Sequence, residues 1–163
     1  MTIKKVVVAG GGVLGSQIAL QSAYCGFDVT IWLRSEGSIE RAKPKLERLR
    51  NVYIEDLEAM KTDENAYCRG LIKKEDISDE KIEELKEQVQ KAYDSITLTT
   101  SYEEATEDAD LIIEAIAEIP EEKIAFYQEL AKHMPEKTIL VTNSSTFLPS
   151  TFAEFTGRPE KYL

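Results

Sequence analysis

The feature that most constrains the fold is a glycine cluster that separates a short apolar run from a longer apolar helix pattern near the N-terminus. Residues 6–9 (Val-Val-Val-Ala) form a continuous apolar run, which predicts a strand buried on both faces. The helix pattern of residues 13–23 ends near Gly26, and Val29 to Leu33 predicts a second strand. These elements form a β-α-β unit, whose strands we expect to lie parallel across a right-handed crossover.

The glycines have the spacing of a phosphate-binding turn. Residues 10–15 read Gly-Gly-Gly-Val-Leu-Gly, which satisfies GxGxxG in the strand-turn-helix context that makes this motif specific. The first glycine allows the tight turn, the second lets the backbone approach a diphosphate, and the third allows the helix to pack closely on the strand. The free N–H groups at the start of the helix then face the diphosphate. The alternative is a glycine turn that holds no ligand. The predicted cofactor-binding residues are Gly10, Gly12, Val13, Leu14 and Gly15.

Strand and helix patterns continue to alternate along the chain. Strand-like runs at residues 96–99, 111–115 and 138–142 alternate with helix starts at Ser101, in a capping box, and at Pro120. The residues expected on the inner face of the second of these helices are Ile124, Tyr127, Leu130 and Ala131. The alternation predicts an α/β fold of the Rossmann type, a doubly wound, mainly parallel sheet with helices on both faces.

A helical arm is predicted after the second strand, at about residues 36–94. The region is rich in Lys, Glu and Leu, and it reads as two helices with a turn near residues 65–74. Ser78 is a candidate cap for the second helix, whose apolar residues recur three and four apart. The arm is either a substrate-binding element or a pair of helices packed on the sheet. With it, residues 1–163 are expected to form one dinucleotide-binding domain.

Charge and composition exclude several classes of function. Acidic residues outnumber basic ones by 30 to 20, so the formal net charge is −10 and nonspecific nucleic-acid binding is not expected. The sequence has no apolar run of the roughly 20 residues that span a bilayer, and its start lacks a signal-peptide pattern. Cys25, expected in a helix core, and Cys68 have neither disulfide nor zinc-site spacing. We therefore expect a cytoplasmic protein with no metal, membrane or nucleic-acid partner.

The end of the second strand bears on the choice of cofactor. NAD-binding proteins usually place a carboxylate there to hold the adenosine ribose, whereas here Leu33 occupies the tip and Arg34 and Ser35 follow. A guanidinium can pair with a 2′-phosphate and a serine can donate a hydrogen bond to it. We therefore predict NAD(P) binding with NADP favoured over NAD. The alternatives are an Arg34 that lies flat on the adenine and a Glu36 that weakens the phosphate site.

Four stretches resemble a known family. They are residues 7–16 (VVAGGGVLGS), 109–118 (ADLIIEAIAE), 142–146 (TNSST) and 158–161 (RPEK). In these stretches the chain resembles the N-terminal NAD(P)-binding domain of L-3-hydroxyacyl-CoA dehydrogenases, which include the 3-hydroxybutyryl-CoA dehydrogenases. The resemblance implies an oxidoreductase of fatty acid metabolism that binds a small-molecule substrate.

The resemblance also implies roles for four residues. Glu118 matches a glutamate on the nicotinamide-ribose side of the cofactor, and Lys123 matches a lysine near the cofactor and CoA. Ser145 matches the catalytic serine that hydrogen-bonds the 3-hydroxyl or 3-keto oxygen, and Asn143 matches a neighbouring cofactor-contacting asparagine. Without the family resemblance, Glu118 and Lys123 could be ordinary residues in the first turn of a helix. Ser145 could be a residue that only caps a helix or turn.

The chain departs from the family pattern at its C-terminal end. The family's catalytic histidine follows the Arg-Pro-Glu-Lys segment within a few residues, and the chain ends at Leu163 before that position. His133 matches no catalytic position and is expected to be a surface or helix C-terminal residue. The family's C-terminal helical domain, through which the parent enzyme is expected to form a homodimer, is also not represented in the sequence. We therefore expect a cofactor-binding fragment that is itself inactive.

Three functions remain open from the sequence. The first is the NAD(P)-binding half of an enzyme that transfers hydride between the nicotinamide and C3 of a 3-hydroxyacyl-CoA. The second is a dehydrogenase for a 3-hydroxy acid without CoA, such as a sugar acid, because no CoA contacts are recognisable in the arm. The third is a sensor domain that binds NAD(P) without catalysis.

Overall fold

A five-stranded parallel sheet forms the centre of the computed structural model, which describes residues 2–163. The strands are β1 (Lys5–Ala9), β2 (Asp28–Trp32), β3 (Thr97–Thr99), β4 (Leu111–Glu114) and β5 (Ile139–Thr142). They lie in the order β3-β2-β1-β4-β5, so the chain reverses its direction of winding between β1 and β4. In the central strand, Val7 pairs with Thr30 of β2 and with Ile112 of β4. This is the predicted Rossmann-type topology.

Helices cover both faces of the sheet. They are α1 (Val13–Tyr24), α2 (Glu36–Ala59), α3 (Asp79–Ser95), α4 (Tyr102–Thr106) and α5 (Pro120–Leu130). Because successive side chains of a strand point to opposite faces, Val6 and Val8 pack with α1, α2 and α3. Val7 and Ala9 pack on the other face with α4 and α5. The apolar run of β1 is therefore buried on both faces, as predicted.

The insertion after the second strand consists of α2, α3 and a connection with two short 3₁₀ turns. Ser35 caps α2 by accepting a hydrogen bond from the N–H of Ser38 at 3.2 Å, and Ser78 caps α3 in the same way through Lys81. The buried residues of both helices belong to the core cluster on the face of the sheet that α1 also covers. The predicted helical insertion is confirmed, and its helices pack on the sheet and on α1.

Of two predictions about burial, the one for the inner face of α5 is confirmed in part, and the one for Cys25 is wrong. The buried face of α5 consists of Lys123, Phe126, Tyr127 and Leu130. Tyr127 and Leu130 were predicted there, and Ile124 is partly buried and packs against the same core cluster. Ala131 is also only partly buried, and the burial of Lys123 was not expected. Cys25 is exposed, because α1 ends at Tyr24 and the chain turns away from the core there.

The C-terminal residues continue the sheet beyond β5. Tyr162 forms an isolated parallel bridge with Leu140, and the N–H of Thr142 donates to the carbonyl oxygen of Leu163 at 2.8 Å. Arg158 anchors this segment by donating to the backbone oxygens of Met134, Pro135 and Thr138. Within residues 2–163 we find no helix that is both long and apolar enough to traverse a bilayer.

Candidate cofactor site

The turn between β1 and α1 depends on glycine at two positions. Gly10 has a φ of +120°, a conformation that residues with a side chain rarely adopt. A β-carbon at Gly10 would overlap the carbonyl oxygen of Ala115, and one at Gly15 would overlap the carbonyl oxygen of Gly10. The roles predicted for Gly10 and Gly15, a tight turn and close packing of helix on strand, are therefore visible in the geometry.

Gly12, the second glycine of the GxGxxG spacing, faces open space. No heavy atom lies within 4 Å of the position that a β-carbon on Gly12 would occupy. Gly12 is the N-cap of α1, and no side chain caps the helix there. The first N–H groups of α1 are therefore available to an anion, and the helix dipole favours negative charge at this end. Val13 and Leu14 are 67% and 58% exposed at the same edge. A dinucleotide diphosphate fits this arrangement.

A cleft of about 610 Å³ opens beside the glycine turn. It lies at the carboxyl ends of β1 and β4, where the winding of the sheet reverses and where open α/β sheets bind their ligands. Trp32, Tyr102 and Phe126 line its aromatic wall, and the Trp32 ring centroid lies 4.6 Å from that of Tyr102 and 5.1 Å from that of Phe126. Flat aromatic rings at this spacing suit a planar base.

Polar residues line the cleft beyond the end of β2. The guanidinium of Arg34 lies 3.3 Å from a carboxylate oxygen of Glu122, on the first turn of α5. The Ser35 hydroxyl caps α2 and lies 3.0 Å from the hydroxyl of Ser38. Arg41 donates to the same Ser38 hydroxyl at 2.9 Å. The Arg41 guanidinium and two hydroxyls thus meet at the start of α2, and Arg34 and Ser38 both line the cleft.

A buried carboxylate lies under the other end of the cleft. Glu114, at the end of β4, is fully buried and accepts hydrogen bonds from the backbone N–H of Ile116 at 2.9 Å and from Lys123 Nζ at 2.7 and 2.8 Å. The hydroxyls of Tyr127 and Thr142 each donate to it at 2.8 Å. Burial holds the pKa of the Tyr127 phenol far above its ordinary value, so the phenol remains a donor. The carboxylate is thereby paired and fully hydrogen-bonded, as a buried charge requires.

Lys123 connects this buried group to the surface. Its side chain is fully buried, and its ammonium also lies 3.3 Å from Glu118, whose side chain is 41% exposed. The Ser144 hydroxyl donates to Glu118 at 2.6 Å and accepts from the backbone N–H groups of Thr146 and Phe147. The structure therefore places Lys123 behind Glu118. The predicted contact between Lys123 and a cofactor requires the ammonium to leave a carboxylate, and it stays a prediction.

Asn143 and Ser145 lie in the loop after β5 and are both exposed. The backbone N–H of Asn143 donates to the carbonyl oxygen of Glu114 at 2.8 Å, so the loop starts beside β4. Glu118, Asn143 and Ser145 are thus brought to one edge of the sheet, with both side chains of the loop free to meet a ligand. His133 lies elsewhere, past the end of α5, and its ring stacks on Tyr102 and approaches Glu129 at 3.2 Å.

Several residues of the site were not found by sequence reasoning. Glu114 and Tyr127 were read as core residues of a strand and a helix, and Trp32, Tyr102 and Phe126 were not assigned to the cleft. A glutamate within a buried strand, Leu-Ile-Ile-Glu, was the available signal for Glu114, because a carboxylate there needs a buried partner. The aromatic wall had no comparable signal, since its members come from three distant elements.

A glycine turn beneath an open, uncapped helix start, beside a cleft at the reversal point of a parallel sheet, defines a dinucleotide-binding domain. Residues 5–163 match the family model for the NAD binding domain of 3-hydroxyacyl-CoA dehydrogenase. The chain belongs to this family, whose members are oxidoreductases.

Curated relatives agree with this assignment. A probable 3-hydroxybutyryl-CoA dehydrogenase from Bacillus subtilis (strain 168) is 31% identical over 163 residues, which cover 100% of this chain and 48% of the relative. The mitochondrial hydroxyacyl-coenzyme A dehydrogenase of Sus scrofa is 28% identical over 98% of this chain and 45% of its own length. The chain therefore spans about half the length of the curated relatives it matches.

Solved structures show the same fold. A diketoreductase, described as acting on dicarbonyl compounds, superposes with a TM-score of 0.79 and 36% identity over 100% of this chain and 50% of its own. The (S)-3-hydroxybutyryl-CoA dehydrogenase of Ralstonia eutropha superposes with a TM-score of 0.75 and 20% identity over 99% of this chain and 48% of its own. The second likeness concerns the fold alone.

Proposed function

We propose that this chain is the cofactor-binding half of an enzyme that transfers a hydride between a nicotinamide dinucleotide and C3 of a 3-hydroxyacyl-CoA. The open space at Gly12, in front of the uncapped start of α1, is the observation that carries the proposal. The diphosphate binds the N–H groups of Val13, Leu14 and Gly15, and the adenosine lies along the cleft. The nicotinamide, when bound, supplies or accepts the hydride.

The loop after β5 orients the substrate in this proposal. Ser145 donates a hydrogen bond to the 3-keto oxygen, or accepts one from the 3-hydroxyl, and Asn143 binds the cofactor beside it. Glu118 holds the nicotinamide-ribose side, and Lys123 holds Glu118 in place from within the core. By the family resemblance, the general base is the family's catalytic histidine, a position that none of residues 1–163 matches. Its loss typically lowers the rate by about 10²–10⁴-fold, so residues 1–163 alone bind the cofactor with little turnover.

NADP is the cofactor that we propose for the site. Leu33 leaves the end of β2 without a carboxylate, and the guanidinium of Arg34 lines the cleft. The guanidinium of Arg41 donates to the hydroxyl of Ser38, which also lines the cleft. A 2′-phosphate accepts charge-assisted hydrogen bonds from such groups. Ser35 is available to it, although its hydroxyl already caps α2.

A fluorescence titration with NADPH and NADH tests this preference. The protein contains one tryptophan, Trp32, and this residue lines the cleft, so a bound reduced cofactor is expected to quench its emission. Arg34→Ala should weaken NADPH binding by about 10- to 150-fold, the worth of one charge-assisted hydrogen bond, and leave NADH binding nearly unchanged. Arg48→Ala, an exposed position on α2 outside the cleft, is the matched control. An unchanged ratio of NADPH to NADH affinity in Arg34→Ala would refute the NADP preference.

A substrate without CoA is the second candidate. The diketoreductase at 36% identity supports it, because that enzyme is described as acting on dicarbonyl compounds. The packing of α2 and α3 supports it as well, because in residues 2–163 the buried faces of both helices belong to the core. A chain that continues through the family's histidine should be assayed on acetoacetyl-CoA and on a free 3-keto acid. Preference for the free acid would favour this candidate, and turnover of neither would favour an NAD(P)-binding sensor.

The partners proposed for the parent enzyme are a small-molecule substrate and a second copy of itself. The net charge of −10 opposes binding to nucleic acid. The homodimer rests on the family resemblance, and the proposed cytoplasmic location rests on composition and on the two unpaired cysteines. Analytical ultracentrifugation of a chain that includes the family's second domain tests the homodimer. A homodimer should have twice the mass of the monomer.

A further inference from the structure

An ion pair joins two sides of the cleft at its adenosine end. Arg34 follows β2, and Glu122 lies on the first turn of α5, 88 residues further along the chain. Both side chains line the cleft, and the guanidinium nitrogen lies 3.3 Å from the carboxylate oxygen. The guanidinium proposed to bind the 2′-phosphate is thus already paired with a carboxylate in the free protein.

Arg34 can exchange Glu122 for another anion at a small cost in free energy. The ion pair consists of one contact, and the side chains of Arg34 and Glu122 are 66% and 41% exposed, so water screens their attraction. The buried pair of Glu114 and Lys123 in the same domain has several hydrogen bonds and no access to solvent. The surface pair therefore opens at little cost when a stronger anion is offered to the guanidinium.

A 2′-phosphate is such an anion. It has up to two negative charges and can accept two parallel hydrogen bonds from one guanidinium, whereas the carboxylate of Glu122 accepts one from Arg34 here. After the exchange, the Glu122 carboxylate is left unpaired near a dianion and repels it. The 2′-hydroxyl of NAD carries no charge and neither competes for Arg34 nor meets this repulsion.

We propose that Glu122 is a specificity-determining residue, which opposes the binding of a 2′-phosphorylated dinucleotide by competing for Arg34 and by repelling the phosphate. The inference rests on the NADP preference proposed above. It makes cofactor choice a balance between two residues: Arg34 raises affinity for NADPH, and Glu122 limits the gain. Neither residue is part of the glycine turn, so the diphosphate contacts proposed there are the same for NAD and NADP.

Glu122→Gln tests the proposal, because it removes the charge and keeps the shape of the side chain. NADPH should bind about two- to five-fold more tightly, as expected for release of an exposed ion pair, and NADH affinity should change little. Glu121→Gln is the matched control: it removes the same charge from the same helical turn at an exposed position that does not line the cleft. Unchanged circular dichroism and melting temperature confirm that both variants are folded.

The double variant Arg34→Ala/Glu122→Gln distinguishes failure of the inference about Glu122 from failure of the proposed NADP preference. If Arg34→Ala alone reduces NADPH affinity, the NADP preference stands, and Glu122→Gln should then have a smaller effect in its background than in the wild type. The inference about Glu122 is overturned if Glu122→Gln acts no more strongly than Glu121→Gln or raises the affinity for NADH equally. If Arg34→Ala leaves the NADPH to NADH ratio unchanged, the NADP preference itself has failed.

Discussion

The ammonium of Lys123 lies 2.7 and 2.8 Å from the two carboxylate oxygens of Glu114, and neither side chain is accessible to solvent. Buried ion pairs contribute little net stability, because removing both ions from water costs about as much as their attraction returns. This pair has a further connection, since the same ammonium approaches Glu118 in the loop between β4 and α5. The core of the domain is therefore joined to that loop by charge, and Glu118 in turn accepts a hydrogen bond from Ser144 in the loop after β5.

Removal of one partner of this pair should be costly. Lys123→Met leaves the Glu114 carboxylate buried without its cation, and we expect the free energy of unfolding to fall by about 3–5 kcal/mol. Urea denaturation followed by circular dichroism measures the change. The double variant Glu114→Gln/Lys123→Met should recover part of the loss, because no unpaired charge then remains. A single variant as stable as the wild type would argue against a charged pair.

The glycines of the GxGxxG spacing should fall into two classes, those needed for stability and those needed for binding. Gly15→Ala should lower the free energy of unfolding by about 3 kcal/mol, because its β-carbon would overlap the Gly10 carbonyl oxygen. Gly12→Ala should leave the melting temperature nearly unchanged, because the added methyl group meets no protein atom. It should nevertheless abolish detectable dinucleotide binding, since the methyl group occupies the proposed diphosphate position. Tight binding by Gly12→Ala would place the diphosphate elsewhere.

Two adjacent serines should respond differently to the same change. Ser144→Ala removes a hydroxyl that joins Glu118 to two backbone N–H groups, and we expect a loss of about 1 kcal/mol in stability. Ser145→Ala should leave stability unchanged, because this residue is exposed. Thermal denaturation of the two variants side by side provides the comparison. Equal losses would mean that Ser145 is structural and would count against its proposed role at the substrate.

Stability should fall in acid partly through Asp110. Lys137 and the backbone N–H groups of Lys5 and Lys4 hold the pKa of its carboxyl well below its ordinary value. Because the folded-state pKa lies below the unfolded value of about 3.9, the contribution is present above that pH and is lost as the pH falls towards the folded-state pKa. Asp110→Asn should reduce stability at neutral pH and flatten the decline below about pH 5.

Denaturant unfolding measured from neutral pH downward gives the free energy of unfolding against pH for the wild type and for Asp110→Asn. Asp108→Asn is a suitable control, because its carboxylate also pairs with Lys137 but is 83% exposed and makes none of the hydrogen bonds to β1. If the wild type and Asp110→Asn decline in parallel, the acid sensitivity arises from other carboxylates, such as Glu58 and Glu129, whose pKa values are also lowered by lysine partners.

Local patterns predicted most of the fold, because they depend on neighbours in sequence. Three local features were predicted and are confirmed: the buried strand before Gly10, the helix cap at Ser78 and the proline at the start of α5. Each depends only on residues a few positions apart in the sequence. The burial of Lys123 on the inner face of α5 was not predicted, because it depends on an acidic partner, Glu114, in another element. Periodicity alone assigns a lysine to the solvent.

The sequence by itself determined the β-α-β unit, the glycine turn and the parallel sheet, since strand burial, helix capping and backbone freedom at glycine are short-range properties. Tertiary structure alone decided which side chains meet at the cleft. Trp32, Tyr102 and Phe126 form one wall, and Arg34 meets Glu122. These contacts join residues tens of positions apart, and their energies depend on distance and burial in space, which no local pattern in the chain encodes.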